Sequence, residues 1–202
     1  MNNLPLSCLL LACALLSTTS CSSKKDGPET AQEINKQRIE SHASRTAQTV
    51  SADSETKQEN VAKFMVDLAN AERTKFELSK LASQRAITPG VKAYAQQLVQ
   101  HYTAEGERSL NAQAQQYRIT LSPTLSTDSQ TMISMLQKED EGAGFDKRYL
   151  NFMAELNDNS TSKAKNLVKN ANKPALMSFI ENLMAVNRQD MDKATELKST
   201  VD

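Results

Sequence analysis

The sequence has no tryptophan, only nine other aromatic residues (four tyrosines and five phenylalanines) and only five glycines in 202 residues. That poverty in strand-favouring and turn-forming residues excludes a β-sandwich, a barrel or a Gly-rich nucleotide-binding domain. Its three cysteines, Cys8, Cys13 and Cys21, all fall in the first 21 residues, so the remainder has no thiol for a disulfide, a zinc site or nucleophilic catalysis. Charge of one sign is not in surplus, with 24 basic and 24 acidic side chains. A nucleic-acid binder would need excess Lys and Arg to neutralise phosphates. The one apolar run, Leu4 to Leu16, falls short of the ~20 residues of a membrane-spanning helix. What remains is an Ala-, Leu-, Lys-, Glu- and Gln-rich chain of one helical domain.

The apolar run suits the core of a signal peptide over residues 1–20, although Met1-Asn2-Asn3 carries no positive charge and so leaves the true translation start open. Ser17-Thr18-Thr19-Ser20 leads into Cys21-Ser22-Ser23-Lys24-Lys25, which resembles the lipobox of a bacterial lipoprotein. The resemblance implies lipidation of Cys21 with a diacylglycerol and further acyl chains such as palmitate. Several chains on one residue anchor stably where one alone is marginal. Leu10-Leu11-Ala12-Cys13 fits the same pattern, but cleavage there would leave apolar Ala14-Leu15-Leu16 on the mature chain. Ser22 after the cysteine implies an outer-membrane lipoprotein facing the periplasm, with the membrane as partner through the N-terminal lipid. A secreted or soluble periplasmic protein is the alternative.

Residues 21–57 carry hardly a large apolar side chain beyond Ile34 and Ile39, and six charges of each sign. The expectation is a flexible polar tether, with His42 a solvated linker residue. From residue 58 to 202, apolar side chains recur at three- and four-residue spacing. Four long helices follow: about 58–86 on Phe64, Leu68, Leu78 and Ala82; from Pro89 to near Tyr117 on Val91, Ala95, Leu98 and Tyr102; from Phe145 to about Ala171; and from near Asn172-Lys173-Pro174 to about Ser199 on Leu176, Ile180, Ala194 and Leu197. Thr88 is the expected cap of the second, with Pro89 at its first position. Asn157 to Ser162 are weak helix formers, yet the apolar phase crosses them unbroken, so the third helix reads as one piece. A short helix, Thr127 to Lys138, displays Met132, Ile133, Met135 and Leu136. The expected fold is an all-α, ferritin-like four-helix bundle with this extra helix in the crossover between the second and third long helices.

Several polar residues fall on the apolar faces near the helix midpoints. Lys75 lies in the stripe of Leu68, Ala71, Leu78 and Ala82; Glu105 and flanking His101 lie on the second helix, Asn157 on the third, and Asn187 and Asp190 on the fourth. An ammonium buried without a partner is costly. Three readings are open: a structural layer in which Lys75 pairs with Asp190 or Glu105 and sets register; Lys75 reaching out to solvent; or a metal or small-ligand site using His101, Glu105 and Asp190. A di-iron bundle needs inward Glu residues and two Glu-x-x-His motifs. None is present, and an ammonium at position 75 would repel a metal ion.

Phe64, Leu78-Ser79-Lys80-Leu81-Ala82, Val91-Lys92-Ala93-Tyr94-Ala95 leading to His101, Ile119-Thr120-Leu121-Ser122-Pro123, Gly144-Phe145-Asp146-Lys147-Arg148-Tyr149, and Leu176 to Phe179 occur in order. With them the stretch from about 60 to 198 resembles the bacterial "domain of unknown function 4142" family, ferritin-like bundles of exported or outer-membrane proteins; the Phe-Asp-x-x-Tyr element is the most specific. By that resemblance, relatives usually carry Glu at the place of Lys75, Asp-His at Gln100-His101, and His at Asn157 and near Asp190, so only one of the usual imidazoles is kept here. The family supplies no established activity.

No phosphate loop, Gly-x-Ser-x-Gly, His-Glu-x-x-His or zinc spacing occurs. The expectation is therefore a non-enzymatic, lipid-anchored envelope protein with no catalytic residue, metal or cofactor, serving as a binding or stress-related structural module of unspecified protein partner. The alternative is a metal-binding or oxidase-like ferritin relative.

Overall fold

A computed structural model describes residues 25–45, 52–168 and 174–202, without the side chains of residues 52, 104 and 105. Cys8, Cys13, Cys21 and the expected signal peptide lie outside the described residues. Among the described residues seven α-helices follow in order: α1 Gly27–Arg45, α2 Ala52–Arg85, α3 Pro89–His101, α4 Glu107–Gln116, α5 Thr127–Lys138, α6 Ala143–Val168 and α7 Pro174–Lys198, with a π-helical turn at Tyr102–Gly106. The described residues contain no strand and form an all-α bundle. No helix among them is long and apolar enough to cross a membrane.

Side-chain contacts fix the directions. Asp67 meets Lys163 and Ser79 meets Tyr149, so α2 and α6 are antiparallel. Arg73 lies 3.6 Å from Glu107, as expected for a hairpin of α2 with α3 and α4. Tyr94 donates to the Asp190 carbonyl, and a Cβ at Gly90 would stand 2.9 Å from Leu197, so α3 runs against α7. The rod of α3 and α4 is therefore parallel to α6, and its connection must travel back along the bundle. The α5 helix makes that return beside α2: Ser126 and Ser129 bond Asn70, while Arg85 bonds the Leu136, Gln137 and Glu139 carbonyls. One long crossover is the connectivity of ferritin-like bundles.

The helices match their expected positions where packing dominates. α6 runs unbroken through Asn157 to Ser162, because Leu156, Asn157, Ser160, Thr161 and Ala164 are all buried against neighbours, and tertiary packing outweighs weak propensity. Other expectations are corrected. Residues 27–45 of the expected tether form α1, and α2 begins at residue 52 rather than 58. α1 buries Ala31, Asn35 and Ile39, and Asn35 both donates to the Thr120 carbonyl and accepts from the Thr120 N–H, each at 2.8 Å. A polar clamp thus docks a helix that has few large apolar residues. His42 is an exposed residue of this helix rather than of a linker.

Thr88 stands at the N-cap of α3 but makes no side-chain cap bond. The Asp146 carboxylate accepts from the N–H groups of Thr88 (2.8 Å) and Ile87 (3.3 Å) instead. Met135 of α5 is exposed, leaving Leu136 as the fully buried residue of that helix.

The core is split in two. One cluster holds Leu78, Ala82, Val91, Leu98, Phe145, Tyr149, Met153 and Ala194. The other holds Ala31, Ile39, Met65, Val66, Leu110, Ala114, Leu167, Leu176 and Ile180. The candidate polar layer lies between them.

Candidate functional site at the bundle midsection

Lys75 is 1% exposed, which eliminates the solvent-reaching reading. Its place on α2, one turn beyond Ala71 and just before Leu78, aims the side chain between α6 and α7. There Nζ donates to Asn157 Oδ1 at 3.0 Å and Asn187 Oδ1 at 3.3 Å. Both asparagines are fully buried.

The expected Glu105 side chain lies outside the described residues, and the described charge partner is not the expected Asp190. It is Glu72, three residues back on the same helix, whose Oε1 lies 2.6 Å from Nζ. That is a charge contact rather than an aligned hydrogen bond, and Glu72 Oε1 has no hydrogen-bond partner among the described residues. The sequence signal for the pair was its i, i+3 spacing. It was masked because Glu72 sits at the edge of the apolar stripe, where a carboxylate looks solvated; here it is 19% exposed.

The Tyr102 ring covers the ammonium from the α3 side, 5.7 Å from ring centroid to Nζ, within cation–π range. Tyr102 opens the π-helical turn. A side chain at Gly106 would stand 3.0 Å from Tyr102 Cδ1, so glycine at the far end of the turn leaves that ring its space. Burial, followed by the Glu72 charge, holds the Tyr102 phenol well above its ordinary value.

Asp190 lies beside the layer and does not bond Lys75. Burial raises its carboxyl pKa above the ordinary value; Lys75 and His101 pull it down and Glu72 pushes it up. His101 is exposed and meets Tyr102 edge-on at 5.9 Å. The Glu105 side chain lies outside the described residues. Of the six residues expected to meet, Lys75, Asn157 and Asn187 form the bonded centre, and Asp190 and His101 flank it.

The centre does not suit a metal ion. Its inward cation is the chain's own ammonium, two of its donor oxygens belong to neutral amides that already accept from Lys75, and its carboxylate is paired. Among the described residues no three His, Cys, Asp or Glu side chains converge. Lys75 also fixes the amide orientation: with both Oδ1 atoms turned to Nζ, Asn157 Nδ2 and Asn187 Nδ2 have no acceptor among the described residues. Each such buried donor costs about 1–3 kcal/mol, so the layer trades stability for a fixed arrangement of α2, α6 and α7.

The Phe-Asp-x-x-Tyr element has a structural account. Phe145 lies under the Arg85 guanidinium at 4.7 Å, Asp146 caps the α2–α3 turn, and Tyr149 Oη is 3.0 Å from Ser79 Oγ. Its polar atoms bond neighbouring elements of the fold.

No curated protein and no solved structure matches the chain. The profile of the family described as Domain of unknown function (DUF4142) matches residues 34–197, a span that takes in α2 to α7 and most of α1, and the chain belongs to that family.

Proposed function

We propose that this protein is a non-enzymatic, lipid-anchored module of the bacterial envelope, attached through Cys21 to the periplasmic face of the outer membrane. The observation that carries the non-enzymatic part is the midsection itself. A Lys75 ammonium paired with Glu72 and bonded to Asn157 and Asn187 serves as a register-setting layer, a use to which buried polar groups are suited. The ferritin-like oxidase alternative gains nothing from this arrangement, because Lys75 neutralises the carboxylate that a metal would need.

The fold changes the geometry of the anchor. Lys25 lies 3.4 Å from Glu33, the Asp26 carboxylate accepts from Glu29 and Thr127 N–H groups, and α1 starts at Gly27. Only four residues separate Cys21 from Asp26. At ~3.5 Å per residue, a lipid at Cys21 holds the bundle within about 20 Å of the membrane surface, close against it rather than on a long leash. Changing Cys21 to Ser is expected to move the protein from the membrane fraction to the soluble periplasmic fraction. Retention of the variant in the membrane fraction would show that the anchor lies elsewhere.

A further inference from the structure

We propose that the end of the bundle beneath the C-terminal half of α1 binds an anionic amphiphile, an apolar chain ending in a carboxylate or phosphate, with its head group between Arg38 and Arg118. The cavity there has a volume of about 500 Å³, within the range of small-molecule sites. Ile39, Val61, Ala62, Ile119, Leu167 and Leu176 supply its apolar wall, and Arg38, Arg118 and Lys57 its basic rim.

Among the described residues, Arg38 and Arg118 of this rim have no carboxylate partner. Asp53 is the carboxylate that lines the cavity, and it is taken by Lys57 at 2.6 Å. Arg38 has only a 3.4 Å contact with the neutral Asn35 amide, and no salt bridge joins Arg38 or Arg118 to a described carboxylate. Arg38 and Arg118 line the same cavity, and burial, followed by the Arg118 charge, lowers the Arg38 guanidinium from its ordinary value. Guanidinium groups on the rim of an apolar wall are the chemistry that recognises a carboxylate or phosphate on a hydrophobic body.

Arg118 is placed there against its own backbone preference. α4 ends in a Schellman motif, with Ile119 N–H bonded to the Ala114 carbonyl at 2.7 Å and Arg118 N–H to that of Gln115 at 3.0 Å. The left-handed residue of such an end is usually glycine. Here it is Arg118 at φ 55°, the one non-glycine residue with positive φ among those described. A helix stop needing only its cap geometry would favour Gly. An arginine in this conformation also puts a guanidinium on the rim opposite α1, and residues held in sparsely populated backbone regions concentrate at ligand clamps.

The same backbone supplies a clean test. Arg118→Gly removes the guanidinium while improving the cap, so the variant is expected to keep or raise its melting temperature. Calorimetric titration of the purified full chain would use dodecanoate below its micelle concentration, with acetate and dodecyltrimethylammonium as head-only and opposite-charge controls. Dodecanoate is expected to bind, the two controls are not, and Arg118→Gly is expected to weaken dodecanoate by at least about tenfold. Co-sedimentation of lipid-free protein with phosphatidylglycerol vesicles separates the two sources of the head group. Sedimentation lost in Arg118→Gly assigns the site to a membrane lipid phosphate, and dodecanoate binding without sedimentation assigns it to a free carboxylate. Binding of neither probe, equal binding of dodecyltrimethylammonium, or affinities unchanged in Arg118→Gly would overturn the proposal.

Discussion

At one end of the bundle, Asp146 and Arg85 turn inward and commit their polar atoms to backbone groups of adjacent turns. At the other end, Arg38 and Arg118 border a cavity and make no salt bridge to a described carboxylate. Both ends close a cluster of the same kind of apolar side chains, and both carry charged residues next to it. They differ in whether the charge is satisfied by the chain itself. A satisfied buried charge fixes loops and helix starts, whereas an unsatisfied one at a cavity mouth is available to a ligand. The Lys75 layer stands between these regions and shows the first pattern in a third form, an ammonium held by the side chains of three helices.

The largest expected effect comes from breaking the layer that separates the halves. Lys75→Met strands Glu72 and is expected to destabilise the bundle by about 3 kcal/mol in urea unfolding, moderated by the partial exposure of Glu72. Adding Glu72→Gln should recover part of that loss. A single Lys75→Met variant as stable as the parent would mean that the ammonium contributes nothing to register.

At the sealed end, Asp146→Ala leaves the Ile87 and Thr88 N–H groups without an acceptor. The expected cost is about 2–3 kcal/mol, with loss of amide protection in residues 87–88 by hydrogen exchange. The smallest effect belongs to the cavity end, where Asn35→Ala removes both bonds to Thr120. A loss of about 1–2 kcal/mol should appear as faster exchange in α1 while α2, α3 and α6 keep their protection. Global unfolding in that variant would show that α1 is integral to the core rather than a docked cover.

Much of the bundle was legible because burial imposes a 3.6-residue period wherever a helix has one inner face. α5 starts where the sequence places it, and α6 keeps its phase through Asn157 to Ser162. α1 was not legible, because the indicator was large apolar residues and α1 docks through alanine, one isoleucine and the Asn35 clamp. α2 was read too narrowly for a related reason: α1, α3, α5 and α6 all pack on it, so Met65, Val66 and Ala69 are buried outside the expected stripe. At the candidate site, Lys75, Asn157 and Asn187 were found as polar interruptions of apolar faces. Glu72 and Tyr102 were not, since one looked like a surface residue and the other like ordinary core.

By itself the sequence determined the helical class, the four long helices with one crossover, and the place of Lys75 on an apolar face, because each follows from periodicity and residue type along a single helix; its burial was decided by the packing of α6 and α7. Only the tertiary structure decided which groups receive that ammonium, that residues 27–45 pack as a helix, and that Arg38 and Arg118 share a rim. Those depend on which side chains from distant segments arrive at one place, and a short-range pattern carries no information about the distance between helices.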